Sequence, residues 1–194
     1  MTANNKIRFL IPAALFAALT AIGAYIKIPL PPVPISLQTF FVVLAGLLLG
    51  SRYGAISQLL YLFIGLIGVP VFVEGGGLFY VLKPTFGYLI GFVFSAFVIG
   101  KIVHGSENEI PFARALQNLK SRSSKRIVLA CAAGFVVIYI PGVTYLYLIS
   151  QFYLGTGLSF YQALITGCAY FLIWDIAKII LIILFINIYI RNEK

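Results

Sequence analysis

Two ionisable residues within an apolar run are the strongest indication of chemistry in this sequence. Asp175 and Lys178 lie in the run 161–190, where a charged side chain costs at least about 2.5–3.5 kcal/mol at mid-membrane. Their i, i+3 spacing places them on one helix face. A carboxylate accepts hydrogen bonds from a ligand's N–H groups, and an ammonium donates to a carbonyl or carboxylate. We predict that the pair contacts a ligand; the alternative is an ion pair that only joins helices.

Polar residues also stand where two other apolar runs begin. Gln38 and Thr39 follow a proline-rich segment and are expected to form a polar wall of a cavity, unless Ser36 simply caps the helix there. Lys83 and Thr85 flank a proline at the start of a further run. Free backbone N–H groups at a helix start, together with a lysine, suit an anionic group; the alternative is an ordinary basic residue near a helix end.

Three aromatic residues are further candidates for a cavity wall. Tyr145 and Tyr147 lie in the run 127–154, and Trp174 directly precedes Asp175. Aromatic side chains in membrane proteins also form belts at the two interfaces. The sequence leaves both interpretations open.

The elements that position these residues are predicted to be membrane helices. The chain has 194 residues, of which 61% are hydrophobic and 10% charged, whereas soluble domains carry about 25% charged residues. Each crossing needs about 20 apolar residues. We predict an all-α membrane protein with six transmembrane helices in a single integral domain, 1–194, of the cell membrane. The apolar runs are 9–28, 35–50, 53–72, 86–103, 127–154 and 161–190.

The basic residues predict the orientation. Eleven lie at the termini and in the loops on the N-terminal side, namely Lys6, Arg8, Arg52, Lys101, Arg114, Lys120, Arg122, Lys125, Arg126, Arg191 and Lys194. Only Lys27 and Lys83 lie on the other side. The positive-inside rule therefore places both termini in the cytoplasm, with a ligand cavity opening toward the extracellular side. The same rule accounts for the net charge of +9, so no nucleic-acid partner is predicted.

Cofactor and metal chemistry are not indicated. Cys131 and Cys168 lie in apolar runs, and His104 is the single histidine, whereas a zinc site needs about four clustered ligands. The sequence contains no phosphate-binding loop and no hydrolase motif. We expect no cofactor, no metal and no enzymatic activity, and any ATP must be used by another chain. Residues 112–119 are expected to form a short amphipathic helix on the membrane surface.

The first helix carries stripes of small residues that allow close helix packing in membranes. The stripes are Ala13, Ala17 and Ala21, and Ala14 and Ala18. Packing within this chain and docking of another membrane subunit are both open.

Several segments, taken together and in order, resemble the BioY family over nearly the whole chain. They are Pro32-Val33-Pro34-Ile35-Ser36-Leu37-Gln38-Thr39, Leu47-Leu48-Leu49-Gly50-Ser51-Arg52-Tyr53-Gly54, Gly65-Leu66-Ile67-Gly68-Val69-Pro70-Val71-Phe72, Lys83-Pro84-Thr85-Phe86-Gly87-Tyr88-Leu89-Ile90-Gly91-Phe92 and Trp174-Asp175-Ile176-Ala177-Lys178.

The resemblance implies a high-affinity biotin-binding subunit, the S-component of an energy-coupling-factor (ECF) importer. It implies partners, a transmembrane T-component and two ATPases, with the alanine stripes of the first helix facing the T-component. It also matches Asp175 and Lys178 to the family's acidic and basic pair. The alternatives are a carrier of another vitamin such as thiamine or riboflavin, a structural membrane subunit, and a small intramembrane enzyme.

Overall fold

The structure, a computed structural model, describes residues 3–105, 107 and 109–190. The helices are α1 (Ala3–Tyr25), α2 (Gln38–Leu66), α3 (Phe86–His104), α4 (Phe112–Ser121), α5 (Ser124–Phe152), α6 (Phe160–Leu164) and α7 (Tyr170–Phe185). A 3₁₀ turn (Leu78–Leu82), two π-helical segments (Ile165–Ala169 and Ile186–Ile190) and two short strands, β1 (Lys27–Ile28) and β2 (Ile35–Ser36), complete the described part. The all-α prediction is confirmed. Three of the basic residues that predict the orientation are not fully described: the side chain of Lys6, and residues Arg191 and Lys194, lie outside the described part of the chain.

Five helical stretches of the described part are long and apolar enough to span a membrane. Six apolar runs were predicted, and two of them, 35–50 and 53–72, are joined in α2. This joining accounts for the difference between six runs and five helical stretches. The run 53–72, which is interrupted in sequence by Gly65, Gly68 and Pro70, is helical only as far as Leu66. Gly68 then takes a φ of 115°, a left-handed conformation that ends a helix at little cost for glycine alone.

Helix α2 reverses its direction at Gly50. That residue is not helical, with φ 75° and ψ −175°, and a Cβ on Gly54 would lie 3.1 Å from the carbonyl oxygen of Ala45. Gln38 Nε2 lies 2.5 Å from the hydroxyl of Tyr61, whereas residues 23 apart in a straight helix are about 35 Å apart. The arms 38–49 and 51–66 therefore run antiparallel as a helical hairpin.

Close packing against this hairpin builds the centre of the fold. Helix α3 lies between α2 and α5. A Cβ on Gly100 of α3 would lie 2.2 Å from the backbone nitrogen of Ser51, and one on Gly46 would lie 2.7 Å from the carbonyl oxygen of Ala96. Small residues let backbones approach in this way where lipid gives no hydrophobic drive for helix association.

The hairpin turn, the end of α3 and helix α4 meet at one end of the bundle, which we call the basic end. Arg52 forms an ion pair with Glu109, and His104 Nε2 lies 2.8 Å from the carbonyl oxygen of Leu47. The short amphipathic helix predicted at 112–119 is present as α4, which buries Ala115 and Leu119 against this end. The predicted inward-facing loops are thus brought together in space.

Candidate functional site

The buried ion pair predicted from sequence lies in a cavity between α2, α3, α5 and α7. Lys178 Nζ is 3.2 Å from Asp175 Oδ1 and donates a hydrogen bond of 2.7 Å to Thr39 Oγ1. The hydroxyl of Tyr139 donates to Asp175 Oδ2. Both charged side chains are over nine-tenths buried. Each charge therefore has its counter-charge and a further hydrogen bond, as a buried ion pair requires.

A second polar group lies beside the pair, at the start of the hairpin. Ser36 Oγ donates to Gln38 Oε1 over 2.8 Å, and the amide of Gln38 donates to the hydroxyl of Tyr61. That hydroxyl in turn donates to the carbonyl oxygen of Val71 over 3.0 Å. No side chain caps α2, so capping by Ser36 is not its role here. The network fixes Gln38, which is 3% exposed, in the cavity wall.

Thr85 and Tyr80 form a further part of the cavity wall. Thr85 Oγ1 donates to the hydroxyl of Tyr80 over 3.0 Å, and both residues line the cavity. A tyrosine hydroxyl is protonated at neutral pH, and burial raises the pKa of Tyr80 further. Tyr80 therefore retains an O–H group that can donate to a ligand.

Aromatic rings form the remaining wall. The rings of Tyr88, Tyr139 and Phe171 lie 6.4–6.5 Å apart, centre to centre. Such a wall is apolar on its faces, and its hydroxyls lie at its edges. With the carboxylate, the ammonium and the amide, the cavity lining offers a ligand apolar ring faces beside both hydrogen-bond donors and acceptors.

Five of the nine predicted ligand-contact residues lie together in this cavity, namely Asp175, Lys178, Gln38, Thr39 and Thr85. The other four lie outside its lining. Lys83 instead faces Glu74 at 3.5 Å, Tyr145 donates to the carbonyl oxygen of Val81, and Tyr147 packs on Phe160. Trp174 is 44% exposed. Adjacent helical residues point about 100° apart, so Trp174 cannot share the face of Asp175.

Sequence reasoning missed the ring-bearing residues that line the cavity, among them Tyr80, Tyr88, Tyr139 and Phe171. Phe171 had a usable signal, because it precedes Asp175 by four residues and so shares its helix face. Tyr88 lies in one of the segments that resemble the BioY family, but nothing in the sequence indicates which way its side chain points. Tyr139 lies in an apolar run, where only tertiary structure distinguishes a cavity wall from a lipid-facing surface.

A profile of the BioY family matches residues 1–192. The chain belongs to the BioY family. A relative from Lysinibacillus sphaericus, named probable biotin transporter BioY, is 46% identical over 158 residues, covering 81% of this chain and 74% of the relative. Another from Pyrococcus horikoshii with the same name is 36% identical over 166 residues and 85% of each chain.

A solved structure agrees with these BioY relatives. It is described as the S-component for biotin from an ECF-type ABC transporter, and it superposes with a TM-score of 0.75 at 29% identity, over 96% of this chain and 93% of its own. Membership of a family of named transporters confirms a multi-pass membrane protein and confirms that it is not an enzyme.

The alanine stripes of this BioY chain divide between two environments. Ala13 and Ala17 are buried within the chain at 1% and 3% exposure, and Ala21 is half-buried. Ala14 and Ala18 are exposed. Only the second stripe is therefore open to another helix in this structure.

Proposed function

We propose that this chain is the biotin-binding subunit of an ECF-type importer and captures extracellular biotin for uptake driven by partner subunits. The observation that carries the proposal is the Asp175–Lys178 pair, which lies with Thr39 and Tyr139 in a cavity walled by aromatic rings. Biotin combines an apolar ring system with a ureido group and a carboxylate, and these are the chemical features that such a cavity complements.

Binding by the purified protein tests the proposal. We expect biotin to bind with a sub-micromolar Kd, a binding free energy beyond about −8 kcal/mol, while thiamine and riboflavin do not compete. Radiolabelled biotin with a panel of unlabelled vitamins measures this. Displacement by thiamine or riboflavin would instead assign the cavity to another vitamin, and the absence of any ligand would favour a structural subunit.

We further propose six membrane crossings with both termini in the cytoplasm and the cavity opening outward. Counting each arm of the α2 hairpin as one crossing supports this, because the basic end then carries Arg52, Arg114 and Lys120 on one side of the membrane.

Labelling of introduced cysteines from either side of the membrane tests this topology. In sealed vesicles, a membrane-impermeant maleimide is expected to modify Arg52→Cys and Ser121→Cys only from the cytoplasmic face, and Thr156→Cys only from the outer face. The unaltered chain, with buried Cys131 and half-buried Cys168, is the control. Labelling of Arg52→Cys from the outer face would contradict the six-helix topology.

Partner subunits are proposed from the solved S-component, whose parent assembly is an ECF-type ABC transporter. A transmembrane T-component and two ATPases would supply the energy, since no phosphate-binding loop occurs in this sequence. The exposed stripe of Ala14 and Ala18 is proposed as the contact with the T-component, because small residues allow close helix approach.

A further inference from the structure

A second cavity of about 500 Å³ opens between α5 and the last helix. We call it the lateral groove and define it by Val136, Ile140, Val143, Leu164, Leu172 and Ile176, all of which line it. Tyr139 and Asp175 line both the lateral groove and the ligand cavity. Between the ligand site and the lateral groove, the wall is therefore a single layer formed by these two hydrogen-bonded side chains.

The π-helical segment Ile165–Ala169 lies beside this opening. Ala163, Gly167, Phe171 and Asp175 are all buried at four-residue intervals, although four residues overshoot one α-helical turn by about 40°. A π-helical segment has more residues per turn, so it compensates for this rotation and keeps the four residues on one face. The hydroxyl of Tyr88 donates to the carbonyl oxygen of Gly167 over 2.7 Å, which ties the segment to α3. The last helix thus directs Asp175 inward and leaves Leu164 and Cys168 along the groove.

The groove lies in the hydrocarbon zone. Its two walls belong to the apolar spans Ser124–Phe152 and Phe160–Ile188, and Asp175 lies near the middle of the second. Its rim is exposed, with Ile140 at 64% and Ile176 at 57%. Its volume is in the range of ligand pockets, about 300–1,000 Å³. At this depth an apolar cleft meets acyl chains and not water.

We propose that the lateral groove seats the acyl chain of a membrane lipid, and that this chain completes the wall of the Asp175 site. A seated chain excludes water from the carboxylate and from the Tyr139 hydroxyl that donates to it. Exclusion of water strengthens these electrostatic contacts. Ligand affinity then depends on the alkyl chains around the protein, a consequence that rests on the proposed biotin function.

Photo-crosslinking tests the seat without reference to biotin. The protein in lipid nanodiscs is irradiated with a phosphatidylcholine that carries a diazirine in its acyl chain, and adducts are mapped by mass spectrometry. We expect enrichment at Leu164 and Leu172, which are 45% and 49% exposed, over Leu129, a residue of α5 outside the groove that is more exposed, at 63%. The groove-lining changes Ala132→Trp and Thr144→Trp should lower the enrichment, and Leu129→Trp should not. Equal labelling inside and outside the groove, or labelling unaffected by the tryptophans, would overturn the seat.

Biotin binding tests the completed wall. Affinity is expected to fall about tenfold when lipid is replaced by a facial amphiphile that lacks an alkyl chain, and to recover when phospholipid is added back. Thr144→Trp should make the affinity insensitive to this exchange, and Leu129→Trp should leave it sensitive. Unchanged affinity of the unaltered protein in the two media would overturn the proposed wall. Failure to bind biotin in every medium would refute the biotin function but leave the crosslinking result standing.

Discussion

Purified protein carrying Asp175→Asn or Lys178→Ala is expected to bind biotin at least about 30-fold more weakly than the unaltered protein, which corresponds to about 2 kcal/mol. Each change removes one member of a pair in which both side chains are over nine-tenths buried. In Lys178→Ala the carboxylate retains only the Tyr139 hydroxyl, and in Asp175→Asn the ammonium retains Thr39. The charge that is left without a counter-charge then forms hydrogen bonds with the polar groups that would otherwise contact the ligand.

Titration calorimetry of the purified variants measures this effect, and thermal unfolding separates it from loss of fold. The double variant Asp175→Asn/Lys178→Met leaves no unpaired charge, so it should recover thermal stability without recovering biotin binding. Lys83→Ala is a matched control, because Lys83 pairs with Glu74 outside the cavity lining. Unchanged affinity in both single variants would remove the pair from the ligand site.

Ala14→Trp and Ala18→Trp are expected to abolish biotin uptake by cells while biotin binding by the purified protein is preserved. Both alanines are exposed on α1, among larger exposed side chains such as Leu10 and Leu15. They form a shallow notch in which a partner helix can approach closely, and an indole would hold that helix away. Loss of uptake with retained binding identifies a defect in assembly.

Co-purification of the T-component with a tagged chain measures the assembly directly. Ile180→Trp is the control, because Ile180 is an exposed apolar residue of a different helix, α7, and it should leave co-purification intact. Ala17→Trp is expected to disturb the fold itself, since Ala17 is 3% exposed. If Ala14→Trp and Ala18→Trp both co-purify at normal yield, the contact with the T-component lies elsewhere.

Much of the membrane architecture could be predicted from sequence, because hydropathy and charge act locally. The start of α3 at Phe86 agreed with its apolar run. The reversal at Gly50 was correctly expected between two runs, although it spans few residues and the hydrogen-bonded pattern continues through it. The third run ends as a helix at Leu66, at its glycine and proline break, but its apolar residues continue into a loop that packs Phe72 against Gly65.

The candidate site could be predicted only in part, for reasons of helix phase and tertiary contact. Asp175 and Lys178 could be identified from sequence because charged side chains are rare in membrane-spanning segments. The aromatic wall did not, since Tyr139 resembles any other aromatic residue of an apolar run until α5 packs beside the last helix. Trp174 was misleading as a neighbour in sequence, because a helix turns adjacent residues to different faces.

The position of both charges on one helix, a turn apart, has a consequence for the biogenesis of the protein. Because Lys178 neutralises Asp175 within its own helix, the last segment can leave the translocation machinery as an electrically neutral unit. It needs no counter-charge from a helix inserted earlier. Thr39 contributes only a hydroxyl to the pair, so the hairpin can dock afterwards. Neutralisation of Asp175 therefore does not require the hairpin to be docked first.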